Sequence, residues 1–292
     1  MDQIAAIDSV PCELHSVASP DGTTIGYRQL GTGPGLVLVH GGGQSSQNFM
    51  RLAAALSDAH TVLIPDRRGR GMTGPFGDGY GLQKECEDLR SIMVHTGAHF
   101  IFGLSSGAVI CLRAALRVPE VSKMALYEPP LPVDGRSPAA WADRYDEEIA
   151  RGDLGSAMVT VLKGVQSSGP SRFIPRFALV PLMRLAVARA DPSKVTGDRV
   201  HPVTLVTTLH YDAQIVREAE SRLEDYRNVS VPVLLLRGRR SPAYLRRSVD
   251  VLAGLLPRCR VVELPGVGHT AADNSGKPEL VARELRAFFG AD

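Results

Sequence analysis

Ser105 lies in Gly103-Leu104-Ser105-Ser106-Gly107, a Gly-x-Ser-x-Gly pattern led by the apolar run His99-Phe100-Ile101-Phe102 and followed by apolar residues at helical spacing. Strand, tight turn and helix in that order push a serine side chain out of a strained turn, and glycine flanks it because a Cβ there would meet neighbouring backbone. The chemistry such a serine supports is nucleophilic attack on an acyl carbon. A hydroxyl is a weak nucleophile until a base takes its proton, and His269, in Gly266-Val267-Gly268-His269, is the candidate base. The alternative readings, an inert turn serine and a plain surface histidine, are weaker, because strained turns are seldom kept without use.

Two further motifs end apolar strand patterns: His40-Gly41-Gly42-Gly43 and Asp66-Arg67-Arg68-Gly69-Arg70-Gly71. With the serine turn and the histidine loop they make four motifs whose order and setting resemble the α/β-hydrolase superfamily along essentially the whole chain. The resemblance implies that His40 to Gly43 is the oxyanion loop. Backbone N–H donors must point at the charge that develops on the carbonyl oxygen, and by analogy these are Gly42 and Ser106, with Gly43 as the fallback.

The family order is nucleophile, acid, histidine, with the acid commonly placed as Gly-x-x-Asp after the seventh strand. Here Gly238-Arg239-Arg240-Ser241 puts Ser241 where that carboxylate belongs. A neutral hydroxyl can orient an imidazole but cannot stabilise an imidazolium, and disabling the acid of a serine protease lowers turnover about ten-thousandfold. Glu128, in Tyr127-Glu128-Pro129-Pro130 at the end of the sixth strand pattern, is the relocated candidate. Haloalkane dehalogenases and some other superfamily members carry their acid at this strand end. The competing reading has Glu128 capping the entry to an inserted segment or pairing with an arginine.

The elements that must position these residues alternate. Residues 12–18 and 23–30 read as a hairpin joined at Ser19-Pro20-Asp21-Gly22; 35–40, 61–65, 123–127, 231–236 and 260–264 read as further strands, with helices between them. The fold class is therefore α/β: a mostly parallel, doubly wound sheet of about eight strands, with ligands bound at strand carboxyl ends. From Pro130 to about Asn228 the alternation gives way to helical patterns at 139–151, 154–165, 173–188 and 203–218. The expected organisation is a core over 1–129 and 229–292 interrupted by a helical cap at 130–228.

Composition limits the alternatives. At 292 residues, 44% hydrophobic and 22% charged, the chain can bury one extensive core. Its 33 basic and 31 acidic residues are mixed throughout, so no field favours nucleic acid or an anionic membrane. Four scattered cysteines form no Cys-x-x-Cys pair and point to reduced thiols rather than zinc, redox or disulfide chemistry. With no leader pattern at the start and no long apolar run, a soluble cytoplasmic location is expected. No metal or cofactor is implied. Gly69 to Gly74 matches Gly-x-Gly-x-x-Gly but runs into a glycine-rich loop instead of a helix, which excludes a dinucleotide site.

The remaining polar residues read mainly as structural. His99, His201 and His210 are ordinary strand, loop or cap residues, with a pocket-facing role for His210-Tyr211-Asp212 as the minority alternative. Arg237, Arg239 and Arg240 form a solvated loop, or else receive a substrate anion. The apolar stretch around Phe173, Phe177, Leu182 and Met183 packs the cap, with some of it lining an acyl pocket. The expected partner is a small-molecule acyl substrate, a carrier-bound thioester included. Hydrolysis of an ester, lactone or thioester through a Ser105 acyl-enzyme is the leading expectation; acyl transfer to a thiol, hydroxyl or amine is the second. A non-catalytic binding protein on a hydrolase scaffold is the third.

Overall fold

The computed structural model describes residues 10–165, 173–195 and 199–290. These contain an eight-stranded sheet in the order β1-β2-β4-β3-β5-β6-β7-β8. Its strands are β1 (Glu13–Ala18), β2 (Thr24–Leu30), β3 (Gly35–Val39), β4 (Thr61–Pro65), β5 (Phe100–Leu104), β6 (Lys123–Tyr127), β7 (Val233–Gly238) and β8 (Cys259–Leu264). β2 pairs antiparallel with β1 and β4, and every other pairing is parallel. The turn of the β1–β2 hairpin closes with Gly22 N donating to Ser19 O at 2.9 Å, and Gly22 takes φ +84°, a conformation glycine adopts without strain.

The helices of the core are α1 (Met50–Ala54), α2 (Leu82–Thr96) and α3 (Ser106–Ala114). Between β6 and β7 come α4 (Ala142–Ala150), α5 (Leu154–Gly164), α6 (Arg176–Arg189), α7 (Pro202–Val206) and α8 (Leu209–Glu220), followed by α9 (Ala243–Leu255) and α10 (Pro278–Phe289). The central strands are apolar throughout because both faces are covered. Val37, Val39 and Ile101 face α2 and α3 in one buried cluster. Leu36, Leu38 and Phe102 face Leu52 of α1 and Val281, Leu285 and Phe289 of α10 in another. Among the described residues, no helix is long and apolar enough to cross a membrane.

Three local expectations come out differently. The helix expected between the strands at 35–40 and 61–65 is a 3-10 turn, Ser46–Phe49, followed by the short α1. The helix read at 203–218 divides into α7 and α8, because Thr207 and Thr208 turn their hydroxyls back onto the carbonyls of Thr204 and Leu205, a local bond that competes with the helical ladder. The apolar segment of α6 does not pack inward: Phe173, Phe177 and Leu182 are 76%, 80% and 62% exposed, and Leu179 is the residue of α6 that is buried. Apolar residues occur all round this helix, so its sequence carries no periodicity that assigns a buried face.

The chain passes from β3 to β4 on one side and then returns to place β5 on the other side of β3. The carboxyl ends of β3 and β5 therefore flank the crevice where strand order reverses, the position at which open α/β sheets bind ligands. β3 leads into His40 to Gly43, and β5 leads into Ser105.

Glycine spacing at this junction has a steric cause that can be tested. A Cβ on Gly107 would lie 2.3 Å from Val39 O and 2.5 Å from His40 O, both backbone atoms, whereas a Cβ on Gly254, in α9, would meet nothing within 4 Å. Urea denaturation should show Gly107→Ala less stable by at least about 1–3 kcal/mol. Gly254→Ala should be more stable by about 0.5–1 kcal/mol.

Candidate active site

Ser105 occupies the turn between β5 and α3 with φ 55° and ψ −122°, a conformation that non-glycine residues rarely adopt. Its amide donates to Tyr127 O at 3.0 Å and its carbonyl accepts from Ala108 N at 2.9 Å, so the turn is held from both sides. A Cβ on Gly103 would fall 2.5 Å from Gly107 O, which explains the first glycine of the motif. Strain of this kind costs of order 1–3 kcal/mol and gathers at functional sites.

Glu128, one residue past β6, is the second such outlier, with φ 48°. Its amide donates to Leu236 O at 3.1 Å, which continues the β6–β7 pairing past the last ladder residue and turns the side chain inward. The carboxylate is fully buried. One oxygen, Oε1, accepts from Gly238 N at 2.7 Å, and the other, Oε2, lies 2.7 Å from His269 Nδ1. An ionised carboxylate only accepts, so Nδ1 carries the proton and Nε2 is left with a lone pair. His269 keeps 27% of its side chain exposed, and Tyr127 Oη steadies the loop by donating to Gly268 O at 2.8 Å. Ser105 Oγ and His269 are not joined by a hydrogen bond in this conformation among the described residues; such contacts commonly tighten when substrate is bound.

Ser241 stands beside this pair without joining it. Its amide donates to Gly238 O at 3.0 Å, its side chain is buried, and its Oγ has no hydrogen-bond partner. The neighbouring arginines face elsewhere: Arg237 pairs with Asp250 at 2.6 Å and Glu263 at 3.0 Å, and Arg239 and Arg240 are exposed.

The loop after β3 is fixed against Ser105, since a Cβ on Gly41 would lie 3.2 Å from Ser105 Cβ. Fully buried His40 accepts from Arg67 N through Nε2 at 3.2 Å, so its Nδ1 holds the proton and donates to Gly41 O at 3.0 Å. Gln44 Oε1 accepts from Gly41 N at 2.9 Å, while its amide nitrogen donates to Asp273 Oδ2 at 2.8 Å, tying this loop to the one that carries His269. Neither Gly42 N nor Ser106 N has an acceptor among the described residues. Gly43 N, by contrast, donates to Asp212 Oδ2 at 3.3 Å.

Asp212, on α8, is the residue that sequence reasoning undervalued. It is buried, accepts from Arg67 Nη1 at 2.7 Å, Arg70 Nη2 at 2.6 Å and Ser106 Oγ at 3.0 Å, and lies so near Gly42 that a Cβ there would be 3.1 Å from Asp212 Cγ. Burial opposes its charge, but Arg70 and Arg67 outweigh burial and hold its carboxyl below the usual value. Burial likewise opposes the charge on Arg67, and Glu85 and Asp212 together overcome it and raise its pKa well above normal. The signal was present in the pattern: Asp212 falls on the stripe of Leu209, Ala213 and Val216, where an unpaired carboxylate would be costly. His210 and Tyr211 turn away from it. His210 pairs with Asp146 at 2.9 Å on the surface, and Tyr211 stacks on Phe76 with ring centres 3.5 Å apart.

Among the described residues, no three metal-ligating side chains come together, and Cys12, Cys86, Cys111 and Cys259 are unbridged.

A model of the alpha/beta hydrolase family matches residues 36–284. The chain is 25% identical over 271 residues to 2-(acetamidomethylene)succinate hydrolase of Mesorhizobium japonicum, a similarity that spans 92% of each protein. A solved alpha/beta hydrolase from Sphaerobacter thermophilus is similar at 31% identity and TM-score 0.75, over 94% of this chain and 100% of that one. A carboxylesterase from Bacillus subtilis shares the fold at TM-score 0.67 and 18% identity, over 100% of this chain and 96% of the other.

His40 makes the site sensitive to pH. Burial, reinforced by Arg70 and Arg67, holds its pKa well below the ordinary histidine value, so the folded protein keeps it neutral while the unfolded chain protonates it. Stability should be complete above about pH 6.5 and fall as pH drops below it, with a slope approaching about 1.4 kcal/mol per pH unit. Urea midpoints at about pH 7.5 and about pH 5.5 check this. His40→Asn should flatten the slope, leaving the smaller part due to His60, whose pKa is also lowered by burial.

Proposed function

The chain belongs to the alpha/beta hydrolase family, and from that premise we propose that it hydrolyses an ester, lactone or thioester of a small or medium carboxylic acid through an acyl-enzyme on Ser105. The observation that carries the reading is the 2.7 Å contact between His269 Nδ1 and buried Glu128 Oε2, which leaves Nε2 as a base for the serine in the strained elbow.

In the first half-reaction Nε2 of His269 takes the proton of Ser105 Oγ as Oγ bonds to the acyl carbon. The carbonyl electrons move onto oxygen, where the amides of Gly42 and Ser106 receive the charge; in a well-studied enzyme the loss of one such donor costs about 3–4 kcal/mol. Glu128 stabilises the imidazolium without taking its proton. The tetrahedral intermediate then collapses, the bond to the leaving group breaks, and His269 returns the proton to that group. Water repeats the sequence on the acyl-enzyme: His269 removes its proton, the hydroxyl adds to the carbon, and Ser105 leaves with the proton and releases the acid. Water is favoured over another acceptor because 2-(acetamidomethylene)succinate hydrolase and the carboxylesterase, both similar over most of their length, are named as hydrolases.

A fluorophosphonate should label the wild type and fail on Ser105→Ala and His269→Ala, and activated esters should give a burst of alcohol equal to the enzyme concentration. Glu128→Gln should lower kcat by about ten-thousandfold, as the acid does in serine proteases. Ser241→Ala should leave the rate unchanged. The opposite result, an active Glu128→Gln and an inactive Ser241→Ala, would make Glu128 structural.

A further inference from the structure

Three consecutive glycine amides follow β3, and the outer two are taken. Gly41 N donates to Gln44 Oε1 at 2.9 Å and Gly43 N donates to Asp212 Oδ2 at 3.3 Å, while Gly42 N, between them, has no acceptor among the described residues. The residue after Ser105 is held by the same carboxylate. Ser106 Oγ donates to Asp212 Oδ1 at 3.0 Å and accepts from Arg67 Nη1 at 3.1 Å, and Ser106 N, at the start of α3, is likewise without an acceptor among the described residues.

Asp212 reaches both places because α8 lies against them. Leu209, one turn earlier on the same face of this helix, covers Gly43 so closely that a Cβ there would lie 3.4 Å from Leu209 Cδ2. A Cβ on Gly42 would lie 3.1 Å from Asp212 Cγ, so the loop comes into contact with the carboxylate itself. Arg67 Nη1 holds Oδ1 at 2.7 Å and Arg70 Nη2 holds Oδ2 at 2.6 Å, and the carboxylate cannot turn without breaking a charged hydrogen bond. We propose that Asp212 is a positioning residue for the oxyanion hole, acting through the Gly42 and Ser106 amides rather than on the substrate. The inference rests on the reaction proposed above for Ser105. Asp212 occupies Gly43 N and thereby leaves Gly42 as the loop's donor, and its second oxygen fixes the side chain of the residue that supplies the other donor. Because α8 belongs to the segment between β6 and β7, while the two donors follow β3 and β5, the hole is complete only when α8 is docked. A displacement of about 1 Å in a preorganised group can cost about a hundredfold in rate.

The kinetics of fluorophosphonate labelling test this, because Ser105 Oγ bonds to phosphorus, its proton passes to His269, fluoride leaves, and the phosphoryl oxygen gains charge in the hole as this happens. Asp212→Asn has one acceptor oxygen in place of two, so one of the two holds is lost. Ser106→Ala removes the side-chain contact and keeps the amide, and it leaves Arg67 and Asp212 paired, so it tests the role even where Asp212→Asn does not fold. Each variant should lower the saturating rate of labelling at least about tenfold, with the half-saturating concentration within about twofold of the wild type. The sign separates position from field in Asp212→Asn: deleting a negative charge near the hole would by itself favour charge on the phosphoryl oxygen and speed labelling. If Ser106→Ala is labelled at the wild-type rate, or Asp212→Asn is labelled faster, Asp212 does not position the hole and the Ser105 reading stands. If the wild type itself is not labelled, that reading falls and this role falls with it.

Discussion

The carboxylate of Glu128 is the charge around which the candidate site is arranged. It is fully buried, and an isolated carboxylate in such a place would be too costly to remain ionised. Two donors make it tolerable, the Gly238 amide at one oxygen and His269 Nδ1 at the other. Both depend on the register of β6 against β7, because pairing Tyr127 with Leu236 lets Glu128 N reach Leu236 O and brings Gly238 beneath the carboxylate. A slip by one residue would reverse every side chain on the strand. The sheet therefore sets the geometry of the acid, and the acid sets the tautomer of the histidine.

A second buried charge group sits on the other side of Ser105. Arg67 bridges Glu85 of α2 and Asp212 of α8, and Arg70 adds a second hold on Asp212. This joins the helical segment between β6 and β7 to the loop after β3, because Asp212 also touches Gly43 N and Ser106 Oγ. The group contains two cations and two anions, so it ties the elements together without setting a net charge beside Ser105. Removing one partner of such a group typically costs 3–5 kcal/mol, about the size expected for a buried pair left unbalanced.

Much of the sheet was legible in the sequence because parallel strands covered on both faces read as short apolar runs; Thr61–Pro65 and Lys123–Tyr127 are found where the pattern places them. Ser105 and the loop of His40 to Gly43 were legible for a different reason, since strained or closely approached backbone restricts residue type. Glu128 was reached through an absence, Ser241 in place of the usual acid, and its contact with His269 follows from a strand register that no local pattern states. Asp212 was read only as part of a minority pocket-facing group and the arginines of the β4 turn only as part of a motif, because formal charge balance does not distinguish a buried pair from a solvated one. The α6 helix was misjudged because apolar content without periodicity does not say which face, if any, is covered.

The tautomer of His269 tests the central claim most directly. Nitrogen-15 chemical shifts of its imidazole, measured at neutral pH, should show the proton on Nδ1 in the wild type, held there by Glu128, with Nε2 bare. In Glu128→Gln the preference for Nδ1 should be lost. A wild-type His269 protonated on Nε2, or one whose tautomer is indifferent to Glu128, would contradict the account.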